Sequence, residues 1–252
     1  WNVGVDHLQY LNNYITVKGS GIDRFKSEIG FHALTLFFAR NFHFFYYFAF
    51  IAFLQLFLIY ATFRHERYLY PFLAIIILFG PEFLSWMNGM RQTLAITIFF
   101  WSIQFIKEKK LLKYLTLILI ASTIHKSAIL LIPIYFIPQI DYFKSRLITC
   151  ILVFTTIILG NSNFWITNLN TFAGILEITG YNNYSETIDS LIDNPQLRNI
   201  GPRRIVMILI PLITIWYSIR LKKEFKNTYF LICYNFSIFG FLLYNILGNT
   251  HH

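Results

Sequence analysis

Ionisable side chains next to long apolar runs are the residues of this sequence best suited to chemistry. They are Glu28, Arg91, His125, Arg203 and Arg204. A charged group at membrane depth is energetically costly, so each is a functional candidate by default. A guanidinium stays charged and binds phosphate through two parallel hydrogen bonds, whereas an imidazole exchanges its proton near neutral pH. We therefore expect Arg91 with Arg203 or Arg204 to bind an anion such as a diphosphate. We expect His125 to act as general base or acid.

Each of these residues also has a purely structural explanation. An arginine at a helix end can reach lipid headgroups without a further role, and His125 can join two helices through a hydrogen bond. Asp6 is either a helix N-cap or a site residue, and the two readings are about equally supported. The remaining histidines lack the spacing of metal ligands; they are His7, His32, His43, His65, His251 and His252. We expect no metal site.

The elements that position these residues have the composition of membrane helices. Of the 252 residues, 56% are hydrophobic, 19% aromatic and only 13% charged, whereas soluble domains carry about 25% charged residues. Apolar runs long enough to cross hydrocarbon cover residues 44–62, 70–86 and 229–247. The sequence therefore predicts an all-α fold, a polytopic integral membrane helical bundle forming one membrane domain over residues 1–252.

The basic residues indicate which connections face the cytoplasm. The formal net charge is +9, and twelve of the 21 Lys and Arg residues fall in four short turns. These are Arg64, Arg67, Lys107, Lys109, Lys110, Lys113, Lys144, Arg146, Arg220, Lys222, Lys223 and Lys226. Because short cytoplasmic turns carry an excess of Lys and Arg, these turns are predicted to be inside. The charge is thereby explained without nucleic acid, and we expect no nucleic-acid partner.

A short-helix hairpin is predicted around His125. The apolar segment Leu111–Ile124 has 14 residues, about 21 Å of helix at ~1.5 Å per residue, which is less than the ~30 Å hydrocarbon core. The segment 127–137 is also short. If the two segments meet at His125 and Lys126 instead of forming one span, every later basic turn stays inside. His125 would then lie at the floor of a cleft open to the outside, in a re-entrant or short-helix hairpin.

Two polar segments are predicted to be external. Residues 1–42 contain a short helix over 6–17 and the acids Asp6 and Glu28. Residues 166–202 form a loop rich in Tyr and Asn, including Tyr181 and Asn182. Tyr rings stack on sugar faces and amides bond hydroxyls, so this loop suits carbohydrate. An ordinary external loop has a similar composition.

Several short motifs, taken together, resemble the EpsG family of Wzy-like polysaccharide polymerases. The chain has Arg91-Gln92 followed by Ala95, a basic turn, and then His125-Lys126-Ser127-Ala128. Further matches are Gly4-Val5-Asp6 with Tyr10, Glu28-Ile29-Gly30-Phe31, and Gly201-Pro202-Arg203-Arg204. The resemblance covers nearly the whole chain. The family's first span and C-terminal segment are missing, so we expect a fragment of a longer protein.

The resemblance implies a GT-C or Wzy-like membrane glycosyltransferase of the bacterial cytoplasmic membrane. It would polymerise undecaprenyl-diphosphate-linked oligosaccharide repeat units at the outer face, for an exopolysaccharide, capsule or O-antigen. A hydroxyl deprotonated by His125, Glu28 or Asp6 would attack the anomeric carbon with inversion, without metal or cofactor. The resemblance implies that the diphosphate is bound by Arg91, Gln92, Arg203 and Arg204. It implies that sugars are bound by Tyr10, Tyr181 and Asn182. Membrane lipid, a chain-length regulator and export proteins are the further partners implied.

Two other classes of membrane protein fit part of this pattern. A flippase or transporter of lipid-linked glycans would also need arginines in a cavity, but such proteins usually contain inverted repeats, and none is evident here. A membrane polysaccharide O-acyltransferase would place its histidine near a cytosolic acyl donor, which the charge pattern disfavours. Both remain alternatives to the polymerase.

Overall fold

The computed structural model describes residues 5–23, 25–79, 86, 88–137, 139–160, 202–225 and 228–247, without the side chains of 5–7, 202–207 and 229. Every regular element in these ranges is helical, which agrees with the predicted all-α class. The α-helices are α1 Val5–Ser20, α2 Ile29–Asn41, α3 Phe44–Phe63, α4 Tyr70–Phe79, α5 Met90–Lys107, α6 Leu111–Ile124, α7 Arg146–Gly160, α8 Pro202–Glu224 and α9 Thr228–Leu247. Two 3₁₀ helices cover Arg67–Leu69 and Lys126–Phe136.

Helix α3 has the features of a membrane-spanning helix. It is 20 residues long, predominantly apolar and without a charged residue, Gly or Pro, and it ends at the polar residues that follow Phe63. Within the described ranges it alone meets both the length and the hydropathy needed to cross a membrane, while the other apolar helices, such as α6 and α7, have 10–17 residues. The predicted span over 70–86 contains α4, and residues 80–85 lie outside the described ranges. The polytopic arrangement therefore stays a prediction.

The chain falls into two compact units, Trp1–Ile137 and Pro138–His252. The single membrane domain and the external placement of residues 1–42 are predictions that the fold does not test. The predicted external loop 166–202 lies outside the described ranges except for its last residue, Pro202, which begins α8.

Helix α5 is the central element of the first unit. It packs against α3 on one side and α6 on the other, with Leu94 fully buried. On the α3 side, the Gln55 amide donates to the Thr93 hydroxyl at 2.9 Å. At its C-terminus Lys109 adopts a left-handed φ of 55°, and the Lys110 N–H bonds the Phe105 carbonyl at 2.9 Å. This tight end reverses the chain into α6.

The predicted hairpin at His125 is present. Helix α6 ends at Ile124, His125 is extended with φ −144° and ψ 114°, and an 11-residue 3₁₀ helix follows. This 3₁₀ helix runs back alongside α6, where the Tyr114 hydroxyl donates to the Leu131 carbonyl at 2.6 Å. The Tyr114 and Tyr135 rings also lie 5.4 Å apart. Such runs of 3₁₀ helix are usually no more than about four residues long, so packing against α6 must stabilise this one.

A glycine brings the start of α2 against the end of α6. A Cβ placed on Gly30 would come 2.2 Å from the Thr123 hydroxyl oxygen, so any side chain here would force the two helices apart. Glu28 precedes α2 and His125 follows α6 directly. The close approach at Gly30 therefore places these two polar residues side by side.

The second unit contains α7, α8 and α9 around a separate apolar core. Val153, Ile215 and Ile238, one from each helix, are fully buried. An ion pair joins Lys222 to Asp141 at 2.8 Å, and the Lys222 ammonium also donates to the Phe143 carbonyl at 2.8 Å. Lys222 was predicted only as one of several basic residues in a cytoplasmic turn, and the structure adds this specific carboxylate partner.

Candidate functional site

Four of the predicted site residues meet in the first unit. Tyr10 comes from α1, Glu28 from the residue before α2, Arg91 from the first turn of α5, and His125 from the end of α6. Glu28 forms an ion pair with Arg91 and lies 3.0 Å from His125, while Arg91 donates through Nε to the Tyr10 hydroxyl at 3.4 Å. The result is one connected polar cluster, hereafter the Glu28 cluster.

The Glu28 carboxylate is the centre of this cluster. Its side chain is only 5% exposed. One oxygen, Oε2, accepts from Arg91, and the other, Oε1, faces His125 Nδ1 at 3.0 Å and the Lys126 backbone N–H at 3.3 Å. Burial raises the pKa of Glu28, but the hydrogen bond with His125 and the charge of Arg91 outweigh it, so the pKa is lowered overall. Glu28 is therefore ionised at neutral pH.

An ionised Glu28 determines the tautomer of His125. A carboxylate only accepts hydrogen bonds, so Nδ1 of the imidazole must carry the proton that bridges to Oε1. In the neutral ring Nε2 then holds the lone pair. The side chain is 17% exposed, so part of it is accessible. A histidine oriented in this way by a carboxylate is suited to remove a proton from a hydroxyl and to carry it as an imidazolium.

Arg91 is held on three sides. Nη1 bonds Glu28, Nε bonds Tyr10, and the guanidinium carbon lies 3.9 Å from the centre of the Phe25 ring. The two hydrogen bonds use two of the five guanidinium N–H donors. The side chain is 25% exposed. Arg91 is therefore a fixed cation with donors remaining, but part of its charge is already balanced by Glu28.

The remaining predicted site residues are not part of the described cluster. Gln92 follows Arg91 on α5 and its side chain is exposed. Asp6 is in the first turn of α1, and Arg203 and Arg204 are in the first turn of α8, but their side chains lie outside the described ranges. Tyr181 and Asn182 lie entirely outside them. Their roles stay predictions.

A second carboxylate–imidazole pair was not predicted. The Asp23 carboxylate is fully buried, and Oδ2 lies 2.6 Å from His32 Nδ1. The other oxygen, Oδ1, accepts from the Asn13 amide at 2.9 Å and from the Phe25 backbone N–H at 2.8 Å. Asp23 and His32 are nine positions apart, and no local spacing rule pairs residues at that distance. Phe25 likewise has no distinguishing signal in an aromatic-rich chain.

No group of three or more His, Cys, Asp or Glu side chains is placed to bind a metal ion in the part of the chain that the structure describes. Neither carboxylate–imidazole pair has a third such ligand there. The expectation of a metal-independent site stays a prediction.

A comparison with known protein families gives a match. The family model described as the EpsG family matches residues 1–251. No curated protein and no solved structure matches the chain. The match covers the Glu28 cluster and both units, and it agrees with the family resemblance carried by the Arg91-Gln92 and His125-Lys126-Ser127-Ala128 motifs.

Proposed function

The chain belongs to the EpsG family, and on this premise we propose that it is a polymerase joining lipid-linked oligosaccharide repeat units. The family gives the coarser part of this statement directly, namely a membrane protein and an enzyme of polysaccharide biosynthesis, of the glycosyltransferase type. Undecaprenyl diphosphate as the carrier, the outer face of the cytoplasmic membrane as the location, and the mechanism are the proposed part.

The observation that carries the proposal is the orientation of His125 by Glu28. In the proposed reaction, Nε2 takes the proton of an acceptor hydroxyl while that oxygen attacks the anomeric carbon of the donor chain. The bond between this carbon and the lipid diphosphate breaks, and the diphosphate leaves with the bonding electrons. A single displacement of this kind inverts the anomeric centre. Glu28 stabilises the imidazolium that forms and maintains the ring orientation.

Arg91 is proposed to stabilise the leaving diphosphate as its negative charge grows. Its ring and hydrogen-bond contacts hold the guanidinium in place, so little reorganisation is needed when charge develops. A planar fork with remaining donors suits phosphate oxygens, which supports this role. The diphosphate-binding roles of Gln92, Arg203 and Arg204 remain predictions. So do the sugar-binding roles of Tyr181 and Asn182.

The proposed outward orientation has a direct test. Reporter fusions would be placed after Lys110, in a predicted cytoplasmic turn, and after Asn182, in the predicted external loop. A reporter active only in the cytoplasm should be active at Lys110 and inactive at Asn182. The reverse pattern would place the Glu28 cluster on the cytoplasmic side and would contradict the outer-face reaction.

The lipid-linked glycans of a strain that lacks this protein distinguish a polymerase from a flippase and from an O-acyltransferase. Loss of a polymerase should leave single repeat units on the lipid carrier, accessible from the outer face, with no long polymer. Loss of a flippase would trap the same units on the cytoplasmic side. Loss of an O-acyltransferase would leave polymer of normal length that lacks acyl groups. Only the first result supports the proposed function.

A further inference from the structure

The first unit has a polar pocket along α1 that the proposed mechanism does not use. It has a volume of about 410 Å³ and is lined by Gln9, Asn12, Asn13, Thr16 and Ile22. The four lining residues on α1 follow a spacing of three, four and seven, so they share one helix face. The volume of the pocket is within the ~300–1,000 Å³ typical of small-molecule sites. The lining thus forms a continuous surface that a small ligand can fill.

The chemistry of this lining selects a neutral ligand with many hydroxyl groups. None of the five lining side chains is charged, so a phosphate or carboxylate group gains no ion pair there. Three amides and the Thr16 hydroxyl make the lining polar, and Ile22 supplies an apolar contact. Sugars present this mixture of hydroxyls and apolar C–H surface. An amide-lined pocket therefore matches a saccharide better than it matches the lipid diphosphate.

We propose that this pocket is a carbohydrate subsite that holds the acceptor glycan next to the reacting hydroxyl. The inference rests on the proposed polymerase function and deepens it. The wall residue Asn13 donates to the Asp23 carboxylate at 2.9 Å, and the same oxygen accepts from the Phe25 N–H at 2.8 Å. The Phe25 ring in turn lies 3.9 Å from the Arg91 guanidinium. These contacts connect the pocket wall to the Glu28 cluster.

Asn13 connects the pocket to the protein interior. It lines the pocket, yet it is only 6% exposed and donates to the buried Asp23 carboxylate, which also pairs with His32. A side chain anchored in this way keeps a fixed orientation without ligand. The pocket wall next to the Glu28 cluster is therefore preorganised, which reduces the entropy lost on binding.

Binding to the purified protein tests the subsite separately from catalysis. The probe is the repeat-unit oligosaccharide released by mild acid from the lipid-linked pool of the deletion strain. The double variant Asn12→Leu, Thr16→Leu removes two exposed polar groups from the lining. The matched control, Ile15→Leu, Lys18→Leu, places the same side chain at two exposed positions of α1 outside it. A titration followed by saturation-transfer NMR compares these proteins with His125→Ala.

We expect the lining variant to bind the oligosaccharide about tenfold or more weakly, since hydrogen bonds are lost at two positions. The control and His125→Ala should bind like the wild type. Equal binding by the lining variant and its control would overturn the subsite while leaving the polymerase intact. Normal long polymer in the deletion strain would instead overturn the polymerase, and the subsite with it.

Discussion

Replacing Glu28 by Gln tests the central contact of the site with almost no change in shape. The carboxylate accepts from Arg91, His125 and the Lys126 backbone. A Gln amide has one acceptor oxygen and one NH₂ group, so at least one of these donors would face another donor. Removing one partner of a buried ion pair costs about 3–5 kcal/mol. A charge-assisted hydrogen bond to the imidazole contributes about 1.5–3 kcal/mol, which corresponds to roughly 10- to 100-fold in rate.

The assay combines polymer yield in the complemented deletion strain with thermal melting of the purified chain. Glu28→Gln should reduce polymer formation at least about tenfold and lower the melting temperature. Glu108→Gln is the matched control, since Glu108 is 41% exposed and its ion pair with Lys110, at 2.7 Å, lies at the surface. It should leave both measurements unchanged. Wild-type polymer and melting in Glu28→Gln would refute the orienting role of the carboxylate.

Three further predictions concern the elements around this contact. Arg91→Lys keeps the charge but loses the planar fork, so polymer should disappear while immunoblotting shows normal membrane insertion; normal chain length would exclude the phosphate role. Gly30→Ala should lower the melting temperature because the new Cβ would clash with Thr123. The control Gly19→Ala has no atom within 4 Å of its new Cβ and should raise the melting temperature slightly. Equal melting temperatures for the two variants would contradict the close approach at Gly30. The folded state lowers the pKa of Glu28 from its ordinary value of 4.5. The ionised carboxylate therefore stabilises the fold fully above pH 4.5, and this stabilisation is lost as the pH falls through the lowered pKa. If the melting temperature of the wild type fell no more steeply in acid than that of Glu28→Gln, this prediction would be refuted.

The helices were largely predictable because their signals are local. The apolar run that begins at Phe44 predicted α3, and the 14 residues of α6 were too few for a span, which predicted the reversal at His125. Both predictions depend only on residues close together in the chain. The length and polarity of each apolar run are therefore enough to predict these elements without any tertiary contact.

The pairing within the site was not predictable in the same way. Glu28, Arg91 and His125 were each identified as candidates for one site, but the contacts of Glu28 with the other two were not predicted, and Arg91 was expected beside other arginines. Glu28 and His125 are 97 positions apart, and no local pattern specifies which charged groups will meet over that distance. The glycine at position 30 brings their helices together, and its role depends on Thr123, which only the packed structure reveals.

The most direct measurement is the lipid-linked glycan profile of the deletion strain complemented with His125→Ala. Single repeat units on the lipid carrier should accumulate as in the uncomplemented strain, while the variant protein is present in the membrane at wild-type level. Full restoration of polymer with wild-type chain length would contradict the account, because His125 would then have a structural role only.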